Sequence, residues 1–284
     1  MLARSLRGCL AVAACCILCD CSVFHKQDST LTRIEAPAAA APAISTPPSP
    51  QQAPPRADTS DTSWVRRTIT EEELWRISEK DPDLSPVVCR QILARLNAKA
   101  HYYISEDIRR GVALKVPNNF SAYKQWSPLP GNLPQLRNIP KFILVAKDIP
   151  FLGWYENGRL MGDTMACIGK DGQATVPGLY RILEKDADHI SRSYTNSFGR
   201  QAWMPWAMRL YEAVWIHAGD ITGAQCSHGC VTLPLKPAED LFHWADLATA
   251  VLVVDSLEDL ERELKKNAAM LPVPPVTSSG RSRG

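Results

Sequence analysis

The chain of 284 residues is long enough for one large domain with appendages, and 45% of its residues are hydrophobic, enough to build a sizeable core. Its 32 basic and 30 acidic side chains nearly cancel to a formal charge of +2, and no clustering of Lys and Arg marks a nucleic-acid-binding surface. No run of 18 apolar residues marks a membrane span. The nine cysteines are unevenly spread: Cys9, Cys15, Cys16, Cys19 and Cys21 crowd the N-terminus, and only Cys89, Cys167, Cys226 and Cys230 remain for the rest. That distribution argues against a disulfide scaffold, and the lack of paired CxxC or HxxxH spacings argues against structural zinc.

Residues 1–21 begin with Arg4 and Arg7, pass into the apolar run Leu10 to Ala14 and then meet cysteines, the order of a secretory leader. Val12-Ala13-Ala14-Cys15 resembles the bacterial lipobox, in which small residues precede a cysteine that is lipidated. Cys15 is therefore a candidate lipid anchor to a membrane, with a plain signal peptide, cleaved or not, as the other reading. Residues 22–62 hold seven prolines between Pro37 and Pro55 among Ala, Ser, Thr and Gln, the composition of an extended, disordered linker.

Residues 63–137 read as a small helical lead-in. Thr70 and Glu73 have capping-box spacing ahead of Leu74, Trp75 and Ile77, and Asp81-Pro82 ends that helix. Ser85-Pro86 supplies an N-cap and an N1 proline for a second helix with the apolar face Val88, Ile92, Leu96. Residues 101–137 are rich in turn formers and contain Phe120, Tyr123 and Trp126, a segment expected to wrap against the main domain.

From Lys141 the pattern changes to short β-like runs, and the main domain is expected over 138–256 as mostly antiparallel β. Strands are predicted at Phe142 to Val145, Phe151 to Tyr155 and Leu160 to Cys167, the last two joined by Asn157-Gly158, a strong hairpin signal. Further strands are predicted at Gly178 to Leu183, Ala213 to Ile216, Val231 to Leu233 and Ala250 to Val254, with one helix from Pro237 to about Ala245. Residues 257–284 read as an amphipathic helix, Leu257 to Lys266, followed by a disordered tail.

The chemistry concentrates between His217 and Cys230. A thiol is a nucleophile only as thiolate, so it needs a base or a positive field nearby, and His217 and His228 can each supply one. Gly229 lets the backbone approach Cys230 closely, so that adjacent N–H groups can face a developing oxyanion. Three other readings compete: Cys230 as a buried structural thiol, a metal site made of His217, Cys226, His228 and Cys230, and a redox pair of Cys226 with Cys230. The spacing of the two cysteines is not a usual zinc spacing and makes no CxxC. Cys226 by itself reads as an incidental small residue.

Ser227-His228-Gly229-Cys230, preceded by His217 on a β-like run, resembles the signature of the L,D-transpeptidases of the YkuD type, which remodel bacterial peptidoglycan. Gly169-Lys170, the run from Thr175 to Ile182 and Met204-Pro205-Trp206-Ala207-Met208-Arg209 resemble further segments of that family, so the likeness runs over most of 141–255. The resemblance implies a mainly β catalytic sandwich or barrel and no cofactor or metal. It implies Cys230 as nucleophile, His217 as base, and Ser227, His228 and Gly229 as supporting or oxyanion residues. The implied partners are peptidoglycan stem peptides as donor and acceptor, in the cell envelope of a bacterium, with no nucleic acid. Cys230 would take a tetrapeptide stem as a thioester, and another amine, or water in an L,D-carboxypeptidase, would resolve it. Trp203, Trp206, Tyr211 and Trp215 fill the core, as aromatics usually do, or line the substrate groove. Thr232 stands where the family usually carries Arg or Asn; a short hydroxyl makes no bidentate salt bridge, so donor preference or activity is expected to differ, and a non-catalytic wall-binding protein stays thinkable.

Overall fold

The computed structural model describes residues 61–195 and 199–271. The leader at 1–21 with Cys15, nearly all of the linker at 22–62 and the tail beyond 271 lie outside the described residues. Among the described residues no helix is long and apolar enough to cross a membrane.

A two-stranded ribbon opens the chain, β1 (Trp64–Arg67) lying antiparallel to β2 (Leu114–Pro117), and three helices fill the interval between them: α1 (Glu71–Lys80), α2 (Pro86–Asn97) and α3 (His101–Arg109). Helix α1 starts where the capping pattern places it, with the Thr70 hydroxyl accepting from the Glu73 amide at 3.3 Å. Glu73 does not complete the box; its carboxylate pairs with Arg67 on β1. Ser85 caps α2 in the same way and Pro86 occupies its first turn. Helix α3 and β2 fall inside the segment expected to be only turns and wrapping. No side chain caps α3, so it carries no local start signal; its first amides are set instead by the Ala100 N–H donating to the Ile221 carbonyl at 2.8 Å, far along the chain.

The central layer is a five-stranded sheet built from β3 (Lys141–Ala146), β4 (Phe151–Glu156), β5 (Arg159–Met165), a short β6 (Ile168–Gly169) outside it, β7 (Gly178–Arg181) and, much later, β13 (Ala250–Val254), in the order β5-β4-β3-β13-β7. Asn157 and Gly158 have φ of 49° and 78°, the left-handed pair that a tight hairpin between β4 and β5 requires. The pairing is mostly antiparallel, as expected, with three parallel pairs among the described strands: β3 with β13, β10 (Val214–Ala218) with β12 (Val231–Leu233), and β6 with β11 (Gln225–Ser227).

Strand β13 is buried throughout and β3 beyond Lys141, because each face of the sheet is covered. Phe142, Leu144, Ala250 and Leu252 point into one core with Leu74, Leu93, Ile104 and Leu136 of the N-terminal helices and loops. Ile143, Val145, Val251 and Val253 point into the other, with Met208, Ile216, Val231 and Leu241. The N-terminal segment and the sheet thus share one apolar core.

The second layer has four strands, β8 (Glu184–Thr195), β9 (Gln201–Tyr211), β10 (Val214–Ala218) and β12 (Val231–Leu233), ordered β12-β10-β9-β8, while β11 (Gln225–Ser227) pairs with β6. Helix α4 (Leu235–Trp244) closes the second core through Ala238 and Leu241, and α5 (Leu260–Asn267) packs Leu260 and Leu264 into the first. Strands β8 and β9 were not predicted. Most of β8 is exposed or half-buried, so its sequence lacks the apolar alternation that betrays a strand.

Leu93 is fully buried on α2 in the shared core. Leu93→Ala should cost about 2–5 kcal/mol in urea unfolding. A single transition moved to lower urea, rather than early melting of the helices alone, is the expected result.

Candidate active site

Strands β10 and β12 run side by side in parallel, with His217 directly opposite Thr232. Side chains alternate along a strand, so Trp215 and His217 on β10 and Cys230 and Thr232 around β12 face the same way. Cys230 packs there with Trp215, Ala207 and Met204. Cys230 lines a cavity of about 470 Å³ on this face of the sheet, whose lining also includes Trp215, His189, Tyr194, Arg192 and Glu212.

The turn that carries Cys230 is held by hydrogen bonds from within and from outside. The Ser227 hydroxyl accepts from the Gly229 N–H at 3.2 Å and donates to the Cys230 carbonyl at 2.6 Å. Gly229 takes φ of +113°, where a side chain would be strained. The fully buried Thr175 accepts from the Gly169 N–H at 3.0 Å and donates to the Gly229 carbonyl at 2.8 Å, so the Thr175 and Gly169-Lys170 segments meet at the turn. His228 points outward, where Lys170 donates to its Nε2 at 3.0 Å and Tyr194 stacks on its ring at 4.6 Å.

Two connections were missed by the sequence reading. Cys226 is not incidental: it forms a disulfide with Cys167, which leaves Cys89 and Cys230 as the free thiols among the described residues. This also corrects the redox pairing of Cys226 with Cys230 and the argument against disulfides in the folded part. Two cysteines 59 residues apart in a sequence carry no pairing signal of their own. The second connection joins α3 to the loop after His217, since both Tyr102 and Tyr103 donate their hydroxyls to the Asp220 carboxylate, the latter at 2.5 Å.

His217 Nδ1 lies 2.8 Å from the Ala218 carbonyl, which can only accept, so Nδ1 carries the proton and Nε2 presents a lone pair. Burial pushes the imidazole down to about 4, so it is neutral at physiological pH. Nε2 rests 3.4 Å from the Thr232 hydroxyl. Thr232 is buried against the base instead of open to the cavity. Gly219 makes room for it, because a Cβ there would lie 2.7 Å from Thr232 Cγ2. The Cys230 thiol rests 3.8 Å from the Ala213 carbonyl, and burial pushes it above the ordinary thiol range, opposed by the Trp215 backbone N–H. The resting pair is a neutral thiol and a neutral imidazole.

The aromatic candidates separate. Trp206 takes a left-handed φ of 58° and packs on Phe242 and His243 of α4, away from Cys230. Tyr211 stacks on Tyr180 at 4.5 Å and accepts from the Val176 N–H at 3.0 Å. Trp203 is exposed on the hairpin and donates to Asp188 at 2.6 Å. Among the described residues no cluster of His, Cys, Asp and Glu could hold a metal ion.

Residues 140–253 match the family model of the YkuD L,D-transpeptidase catalytic domain. The chain carries a YkuD-type domain. It begins at β3 and ends in β13, so the five-stranded sheet, the second sheet and α4 lie within it and the three N-terminal helices outside. No curated protein matches the chain. Similar solved structures include an L,D-transpeptidase from Mycobacterium smegmatis at 17% identity and a TM-score of 0.38, covering 41% of this chain and 59% of that one. L,D-transpeptidase 1 of Mycobacterium tuberculosis matches at 20% identity and 0.36, covering 41% and 62%. An Enterococcus faecium L,D-transpeptidase matches at 23% and 0.37, covering 40% and 50%.

Two outcomes are expected. Cys226→Ala should lower stability by about 2–5 kcal/mol in denaturant unfolding, and reductant should bring the unaltered chain to the same midpoint. Alkylation of Cys230 by iodoacetamide, mapped by peptide mass, should stay slow through pH 6–8 and rise only above the ordinary thiol range near pH ~9. A plateau beginning near pH ~5 would instead mark a thiolate–imidazolium pair.

Proposed function

We propose that this chain is a peptidoglycan L,D-transpeptidase that acts on tetrapeptide stems through a thioester on Cys230, forming 3-3 cross-links or attaching another amine. The observation that carries this reading is that Cys230 lines the cavity from the same sheet face as His217, whose basic Nε2 is set by the Ala218 carbonyl. The YkuD-type domain supports stem peptides as the substrate class.

In the proposed reaction the thiol turns from the Ala213 carbonyl toward His217, which takes its proton. The sulfur attacks the carbonyl at the L-centre of the third stem residue. The Gly229 N–H is engaged by Ser227, so the amides of His228 and Cys230 are the remaining turn donors for the tetrahedral oxyanion. The imidazolium returns its proton to the departing D-Ala amine as the C–N bond breaks, leaving the thioester. An acceptor amine then restores the thiol. Thr232, in contact with His217, acts on the base in this reading, whereas Trp203 and Tyr211 remain candidates for gripping substrate and Trp206 packs elsewhere.

Export to the bacterial envelope is part of the proposal. The Cys167–Cys226 disulfide favours an oxidising compartment, and the leader pattern at 1–21 agrees. Lipid anchoring through Cys15 rests on that leader pattern.

Incubating the full chain with disaccharide tetrapeptides and reading product masses tests the function. A cross-linked dimer is expected, abolished in Cys230→Ala and slowed ~10²–10⁴-fold in His217→Ala. A trimmed tripeptide alone would make the enzyme an L,D-carboxypeptidase. No reaction, or a dimer formed by Cys230→Ala, would overturn the reading.

A further inference from the structure

A second imidazole lines the cavity that holds Cys230. It belongs to His189, on β8, and its ring stacks on Trp215 with centroids 4.1 Å apart. Trp215 in turn packs directly with Cys230. His189 Nδ1 lies 3.0 Å from the Asp186 carboxylate, which leaves Nε2 as the nitrogen without a carboxylate partner. The side chain is 19% exposed, so it is held by its neighbours yet reached from the cavity.

The proposed reaction leaves such a group a task. An acceptor amine arrives as an ammonium and must lose a proton before it can attack. His217 is not among the residues that line the cavity and is in contact with Thr232, so an ammonium arriving through the cavity meets His189 first. The wall around His189 suits a cation: Asp186 and Glu212 line it, together with Glu184, which is paired with Arg209 at 2.9 Å, and Arg192 is the one guanidinium in the lining. A carboxylate on the far nitrogen orients an imidazole and stabilises the imidazolium formed when it takes a proton.

We propose that His189, oriented by Asp186, is the acceptor-side base, taking the proton from the incoming ammonium before it attacks the Cys230 thioester. The inference rests on the transpeptidase reading above. The ammonium gives one proton to His189 Nε2. The free amine adds to the thioester carbonyl, forming the C–N bond, and the nitrogen passes its second proton to His217. The C–S bond then breaks, the sulfur takes that proton from His217 as the thiol reforms, and His189 releases its own proton to solvent. The mixed charge of the wall fits an acceptor whose amine stands beside a carboxylate, with the acidic side chains facing the ammonium and Arg192 the carboxylate.

The test separates the two halves of the reaction in the full chain, with a disaccharide tetrapeptide as donor and D-methionine or hydroxylamine as acceptor. In His189→Gln, thioester formation, followed by mass and by the first release of D-Ala, should stay within about threefold of the unaltered chain. Transfer to D-methionine at pH 7 should fall by ~10²-fold or more. Hydroxylamine, already a free base at that pH, should restore turnover. Asp186→Asn keeps the ring and its stacking, and should lower transfer to D-methionine about tenfold with the same rescue. Equal loss of both half-reactions in both variants, unchanged transfer in His189→Gln, or no rescue by hydroxylamine would overturn the inference alone. An unaltered chain that forms no thioester would remove the proposed function and this inference with it.

Discussion

The arrangement of the site depends on one residue, Cys167, which pins the nucleophile turn on both of its flanks. Its backbone exchanges two hydrogen bonds of 2.8 Å with Thr232, just after Cys230, and its sulfur is bonded to Cys226, just before Ser227. The six residues from Cys226 to Val231 therefore form a loop anchored at both ends to the end of one buried segment. Gly229 can hold its left-handed φ and Ser227 can bridge the turn because neither end is free to relax. Thr175 adds a third tie through the Gly229 carbonyl.

The two-sided burial of the central sheet explains how the helices outside the YkuD-type domain reach the site. One face of β3 and β13 is covered by the N-terminal helices and the other by the second sheet. The ion pair of Arg95 with Asp163 at 3.0 Å and the Arg95 contact with the Phe151 ring lock α2 to β5 and β4. Helix α3 is then placed so that Tyr102 and Tyr103 converge on Asp220 and Ala100 bonds Ile221. The loop between His217 and the Cys230 turn is consequently gripped by a segment that contributes nothing to the cavity itself.

Burial also determines the charge state of the site. Ionising Cys230 and His217 at rest would place two charges in surroundings that stabilise neither well, and the thiol is pushed up while the imidazole is pushed down. A neutral pair avoids that cost at rest. The polar lining of the cavity beside Cys230 comes mostly from the β8–β9 hairpin, through Glu184, Asp186, His189, Arg192 and Tyr194. The exposed, pattern-poor sequence of β8 goes with this polar lining, while the apolar side of the cavity holds Cys230.

Much of the scaffold was determined by local sequence. Thr70 and Ser85 start their helices, Asn157-Gly158 turns its hairpin, and the apolar runs at 142–145 and 250–254 are the buried strands, because caps, left-handed turns and two-sided burial act over a few residues. The Ser227 to Cys230 motif and His217 were likewise readable as one candidate site from chain order alone. Only the tertiary structure decided which groups these meet. It paired Cys226 with Cys167, set Thr232 against His217, turned Trp206 toward α4, started α3 from Ile221 and carried His189 across to Trp215. Each of these joins residues that no short-range propensity connects, and their meeting follows from strand register, sheet stacking and the closing of long loops.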